Sequence, residues 1–217
     1  RELQQLHADA GSGRIQAGPD ERVLLLRRGD EDQAVYDMDS NTWLGMDKSD
    51  GSWKWRVGPE VGKTVMGVIC ARRKGLIASV TRILNFGEIS SQMHSTYQRL
   101  LKVESAFLDN TKVGATFAEA FKAGTLSYLT EGFERDEWTK HHQGGPTGYL
   151  PRDYPAHEKT TQIIGIGNAI AWNPSAEGLK VEDTVITTES GLEILTLDSE
   201  WPMVEVAGRS RPAIAQR

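Results

Sequence analysis

Lys180-Val181-Glu182-Asp183-Thr184-Val185-Ile186-Thr187-Thr188-Glu189-Ser190-Gly191-Leu192-Glu193-Ile194-Leu195-Thr196 reads as a β-hairpin. β-Branched residues fill Thr184 to Thr188, a second strand is expected over Leu192 to Leu197, and Glu189-Ser190-Gly191 supplies the turn. Glu182 and Asp183 take neighbouring strand positions, so one carboxylate is expected to face inward and the other outward. A buried carboxylate requires a cation or hydrogen-bond donors. His142 or a metal ion would qualify.

Outward from this hairpin, Ala169 to Trp172 and Thr161 to Ile166 read as further strands. Upstream, Thr116 and Glu119 make a capping box for a helix that stops at Gly132. A longer helix begins near Ser90, because Met93, Tyr97, Leu100, Leu101, Phe107 and Leu108 share one stripe of a 3.6-residue period. Val65 to Ala71 and Leu76 to Leu84 read as paired strands across the basic turn Arg72-Arg73-Lys74-Gly75. The order of strands, two helices and a strand meander predicts an α+β fold rather than alternating βαβ units. Residues 1–60 have a different texture: a short helix over Arg1 to Ala10, a strand at Val23 to Leu26, and strands near Ala34-Val35-Tyr36 and Trp53-Lys54-Trp55.

The chain has 217 residues, with 25 Lys and Arg against 30 Asp and Glu, a net charge of −5. That balance argues against a nucleic-acid partner, which would select a basic surplus. The single cysteine, Cys70, excludes an internal disulfide and a Cys-rich zinc site. No apolar run is long enough for a bilayer, and Arg1-Glu2-Leu3-Gln4-Gln5 does not resemble a signal peptide. A soluble cytoplasmic protein is expected.

Most local motifs fail a chemical test. Asp37, Asp39 and Asn41 have calcium-loop spacing, but Thr42 and Lys48 stand where the loop needs Gly and Glu, so a solvated acidic loop is expected. Gly165-Ile166-Gly167 follows a strand yet leads into another strand, so no helix N-terminus is offered to a phosphate. Cys70, in an apolar strand, reads as an inert thiol. The dense polar segment is Trp138-Thr139-Lys140-His141-His142-Gln143-Gly144-Gly145-Pro146-Thr147-Gly148-Tyr149. Its glycine pair permits close backbone approach. If it is a strand, the adjacent histidines point to opposite faces and at most one serves a given pocket.

Four motifs together resemble the M24 peptidase family of methionine aminopeptidases, Xaa-Pro aminopeptidases, prolidases and creatinase. They are Ser79-Val80-Thr81-Arg82, His142-Gln143-Gly144-Gly145, Trp172-Asn173-Pro174-Ser175 and the Glu182-Asp183-Thr184 hairpin, in family order. The resemblance covers about Thr64 to Pro202 and implies a pita-bread domain over residues 61–217, an antiparallel sheet with helices on one side. Residues 1–60 match poorly. The resemblance places His142 and Glu182 at two of the five positions that hold two metal ions in active members. Ser79 and Asn173 stand where carboxylates are expected, and Tyr149 stands at the second, substrate-facing His. One carboxylate and one imidazole cannot neutralise two divalent ions.

The resemblance therefore implies a hydrolase of a peptide-like or small amide C–N bond without a complete dinuclear centre. His142, Glu182 and Tyr149 are the expected catalytic groups, with His141, Asn173, Arg152 and Ser79 binding substrate. No cofactor is expected; a single manganese, cobalt or zinc ion, if held, would take His142 and Glu182. The alternatives are a catalytically inactive binding module, as the FACT histone chaperone uses this fold, and a lyase or isomerase using the same pocket. The partner is a small peptide-like or amide substrate, without nucleic acid or membrane, and a homodimer stays open.

Overall fold

The computed structural model describes residues 63–217 in full and, ahead of them, the backbone of five strands. The chain divides into two units, Arg1–Val65 with Ala71–Lys74, and Met66–Cys70 with Gly75–Arg217. In the first, β1 (Gly13–Ala17), β2 (Val23–Arg28), β3 (Glu31–Asp37), β4 (Thr42–Met46) and β5 (Trp53–Trp55) form an antiparallel meander in chain order. The strands anticipated at Val23, Ala34 and Trp53 fall in β2, β3 and β5. Asp37 pairs with Thr42 across a hairpin, so β4 takes up the second half of the weighed calcium-loop spacing. The helix expected over residues 1–10 lies outside the described residues.

β6 (Thr64–Arg73), whose middle, Met66–Cys70, falls in the second unit, is joined to β7 (Leu76–Asn85) by Lys74 and Gly75 at φ 50° and 87°. Two successive positive φ values make the hairpin turn whose twist matches its strands. Along β7 every second residue is buried, but the buried row is Ile77, Ser79, Thr81, Ile83 and Asn85. A polar inward row is expensive unless it is hydrogen-bonded, and here it faces the functional hairpin.

Two helices follow. α1 (Ser91–Asn110) starts where Ser90 Oγ accepts from Met93 N. It ends where Thr111 Oγ1 donates to Phe107 O and accepts from the Trp172 indole, at 2.8 Å in each case. α2 (Phe117–Thr130) carries both halves of the capping box read in the sequence. Its next two orphan N–H groups, Phe117 and Ala118, donate to Gln162 O and Thr160 O. Residues 161–166, expected as a strand, instead make one isolated bridge, Thr116 to Ile163. Gln162 O serves the start of α2, and Ile164 exchanges its backbone bonds with Gly114 N and Ala115 O in the loop ahead of that helix.

A four-stranded antiparallel sheet carries the site. It is built from β8 (Gly144–Thr147), β9 (Ala169–Trp172), β12 (Asp183–Thr188) and β13 (Gly191–Ile194), in the order β13-β12-β9-β8. A small hairpin, β10 (Ser175–Ala176) with β11 (Leu179–Lys180), leads into β12. β13 stops short of the expected Leu197, because Thr196 turns inward to donate to Asp183. The chain closes with the hairpin β14 (Met203–Val206) and β15 (Arg209–Pro212), and with β16 (Ala215–Gln216), which pairs parallel to β7. The helices pack on one another, and α1 packs on β9, β10, β11 and β14. Phe107 stacks on Trp172 at 4.8 Å in the core. This is the α+β pita-bread architecture. No helix among the described residues is long and apolar enough to cross a membrane.

Candidate functional site

β7 runs antiparallel to the approach of β12, and the two exchange more than backbone bonds. Thr81 N donates to Glu182 O at 3.0 Å, and Ser79 N donates to Thr184 Oγ1 at 2.7 Å. This register brings Glu182, 2% exposed, onto the polar row of β7. Thr81 Oγ1 donates to its Oε2 at 2.7 Å, Lys180 Nζ lies 2.9 Å from Oε2, and Arg152 Nη2 lies 2.6 Å from Oε1. Burial pushes the Glu182 carboxyl up, but Lys180, Arg152 and Thr81 outweigh it and hold the pKa below the usual range.

The donors that serve this carboxylate are a lysine, an arginine and a threonine rather than His142. Nor does Asp183 face out. It is 2% exposed and meets Arg82 and Arg211, each at 2.9 Å. Alternation does send the two carboxylates to opposite faces, but both faces of this strand are covered. Arg211, fully buried, also grips Glu104 of α1.

The histidines depart from strand geometry. His141 closes the 3-10 turn Glu137–Lys140 at φ −149° and ψ 150°, and β8 begins only at Gly144. Without a ladder the alternation lapses, and the two rings stack at 4.4 Å with 30° between planes. His142 is exposed and His141 partly buried. Although His142 is exposed as a residue, partial desolvation of its stacked ring, then the neighbouring His141 and Arg152, lower its pKa to about 4. Burial and the Lys180 ammonium likewise lower His141. Both rings are neutral near pH 7.

Gln143, which sequence reasoning passed over, holds this turn. Tyr128 Oη donates to its Oε1 at 2.9 Å, and its Nε2 donates to Trp138 O and His141 O. Its carbonyl accepts from Asn173 N, tying the histidine turn to the end of β9. Asn173 is buried, with Oδ1 lacking a partner. Ser79 is buried and accepts from Arg152 Nη1 at 3.3 Å. Tyr149 is 76% exposed. The structure therefore gathers Ser79, Arg152 and Glu182 directly, sets the two histidines within their electrostatic reach, and leaves Tyr149 at the surface.

A cavity of about 390 Å³ opens beside this cluster, lined by Glu137, Lys140, His141, Glu177 and Lys180 with apolar contributions from Met66 and Val68. That is the size of a small-ligand site. Among the described residues, no group of three or more His, Cys, Asp or Glu side chains is gathered to hold a metal ion.

No protein-family model matches the chain. Among curated proteins it is similar to an uncharacterized peptidase of Staphylococcus aureus strain MW2, 24% identical over 125 residues, 55% of this chain and 35% of that protein. Among solved structures it is similar to the X-Pro aminopeptidase of Thermotoga maritima. The TM-score is 0.59 at 20% identity, over 78% of this chain and 46% of the other. The prolidase of Pyrococcus furiosus gives 0.57 at 19%, over 70% and 46%. The N-terminal domain of the FACT complex subunit SPT16 from chickpea, Cicer arietinum, gives 0.54 at 16%, over 71% and 41%. The chain spans about a third of the curated relative and under half of each of these solved chains. Peptidases and a FACT subunit thus share its fold.

Proposed function

We propose that the chain is a hydrolase of peptide-like or small amide C–N bonds that works without a dinuclear metal centre. The observation that carries this reading is the cavity lined by neutral His141 and by Lys180, whose ammonium is paired with Glu182. A pair of divalent ions needs several anionic ligands, and the one carboxylate at the expected position already answers two cations. The residues do not fit such a centre. What they supply is proton transfer and a positive field. His141 accepts a proton from water and returns it to the leaving amine. The charge of Lys180 and Arg152 favours a carbonyl oxygen becoming negative.

The test is turnover of Xaa-Pro dipeptides and small amides in excess chelator. Activity persists there, falls about 10²–10⁴-fold in His141→Ala, the usual worth of a positioned acid–base, and changes far less in His142→Ala. Turnover requiring stoichiometric manganese or cobalt overturns the metal-free reading.

A pH profile gives a second check. Because both imidazoles are held below their ordinary value, the acid limb of kcat/KM falls below pH 6.5 instead of on it. A limb centred at 6.5 removes His141 from the role.

A second reading, a catalytically inactive binding domain, is favoured by the saturation of Glu182, whose two oxygens meet three donors. A well-folded chain with no turnover on any of these substrates selects it.

A further inference from the structure

Ser79 and Glu182 stand at positions where the fold resemblance expects ligands to metal ions, and here a guanidinium joins them. Arg152, from the loop between β8 and β9, donates from Nη2 to Glu182 Oε1 at 2.6 Å and from Nη1 to Ser79 Oγ at 3.3 Å. Lys180 Nζ lies 2.9 Å from the other carboxylate oxygen, Oε2. One carboxylate therefore gives one oxygen to each of two cations, as a bridging carboxylate does between two ions. The Arg152 and Lys180 side chains are only 10% and 11% exposed, so these charges are held inside the fold. Arg152 Nε is buried without an acceptor, so the guanidinium is fixed through its two Nη groups alone. After burial and the neighbouring His141, the charges of Arg152 and Lys180 also lower the pKa of His142, a third such position. A bound ion would favour the neutral ring in the same way.

We propose that Arg152 is a built-in cation that takes the place of an ion: its guanidinium cross-links Ser79 of β7 to Glu182 ahead of β12 and ties the loop after β8 onto both. This goes beyond the proposed function and holds whether or not the chain hydrolyses anything. A guanidinium is always charged, cannot dissociate from the chain and reaches two acceptors through one planar fork. Carrying one charge where an ion carries two, it asks for fewer carboxylates. That matches the inward row of β7, which offers the hydroxyls of Ser79 and Thr81. Arg152 acts here as a positioning residue, with Lys180 as the second charge on Glu182.

Melting curves of the whole chain, with EDTA, Mn²⁺ and sub-denaturing guanidinium as additives, test it. The parent melts at the same temperature with each. Arg152→Ala melts about 5–10 °C lower, since Lys180 and Thr81 still serve Glu182. Guanidinium or Mn²⁺ then restores part of that loss, because the vacated place admits a free cation. Arg152→Met, which keeps length without charge, melts as low as the alanine variant. Arg152→Lys melts between Arg152→Met and the parent, since an ammonium restores the charge but cannot span both acceptors. Arg152→Met melting like the parent reduces the residue to packing and overturns the proposal. So does Arg152→Lys melting no higher than Arg152→Met, and so does an alanine variant that neither cation rescues. A parent whose melting temperature rises with stoichiometric Mn²⁺ overturns it as well, because ions then enter a place the arginine was to fill.

Discussion

Arg211→Ala unfolds at markedly lower denaturant, with a loss of about 3–5 kcal/mol, the cost of removing one partner from a buried ion pair. Arg211 is fully buried. Its Nε donates to Glu104 Oε2 at 2.7 Å, and its Nη2 reaches Glu104 Oε1 and Asp183 Oδ2. Asp183 survives the substitution, because Arg82 and Thr196 still serve it. Glu104 is left alone on the buried face of α1. Burial already raises its pKa above the usual carboxylate range, and Arg211 is the main opposing influence. Without Arg211 the folded state holds a proton there that the unfolded state releases above its ordinary value. The variant therefore loses stability as pH rises from that value, and is more stable at pH 5 than at pH 8 relative to the parent. Urea melts at the two values check the sign. Glu104→Leu combined with Arg211→Met recovers most of the loss, since a packed apolar pair replaces the ions. A double variant as unstable as Arg211→Ala would mean that Asp183, not Glu104, is the group left stranded.

Glu104 also shows how far the sequence could be read. It lies within the helical stripe that includes Tyr97, Leu101 and Leu108, and a carboxylate among core positions requires a cation. That signal was available, but its answer lay 107 residues away in a hairpin with no sequence reading of its own. The helices themselves were legible because their signals are local: a 3.6-residue period and caps at Ser90 and Thr116. The strands β7, β9 and β12 were legible from β-branched runs and turn residues.

Residues 161–166 were misread because a β-branched segment can pair with the loop ahead of a helix and its first N–H, as Ile164 and Gln162 do, instead of with a strand. At the site, residue types were legible but partners were not. Glu182 could be recognised as a carboxylate in need of neutralisation. That Arg152 reaches it, 30 residues away, depends on how the loop after β8 folds back. The opposite-face rule for His141 and His142 failed for one reason: it presupposes a strand, and the strand begins two residues later.

The glycine pair, by contrast, was readable as a close approach, and it sets up the second large effect. Gly144→Ala loses at least about 3 kcal/mol, from a left-handed backbone that costs a side chain roughly 1–2 kcal/mol and from overpacking that adds a similar amount. Gly144 sits at φ +103°, and an added Cβ would lie 2.1 Å from Ala171 O and 2.8 Å from Trp172 Cα, both backbone atoms of β9. Backbone in a paired strand cannot step aside, so β8 must leave its register with β9. Gly148→Ala is the matched control: its added Cβ meets only Asp153 Oδ2 at 3.6 Å, with no positive φ. It should stay within about 1 kcal/mol of the parent, as surface changes do. The consequence reaches the site, because Gln143 precedes Gly144 and ties Asn173 to the histidine turn. In whatever fraction of Gly144→Ala still folds, turnover should fall along with stability and ligand affinity weaken. A variant that melts like the parent would show β8 is not held against β9 as described, and the position of His141 would then rest on Gln143 alone.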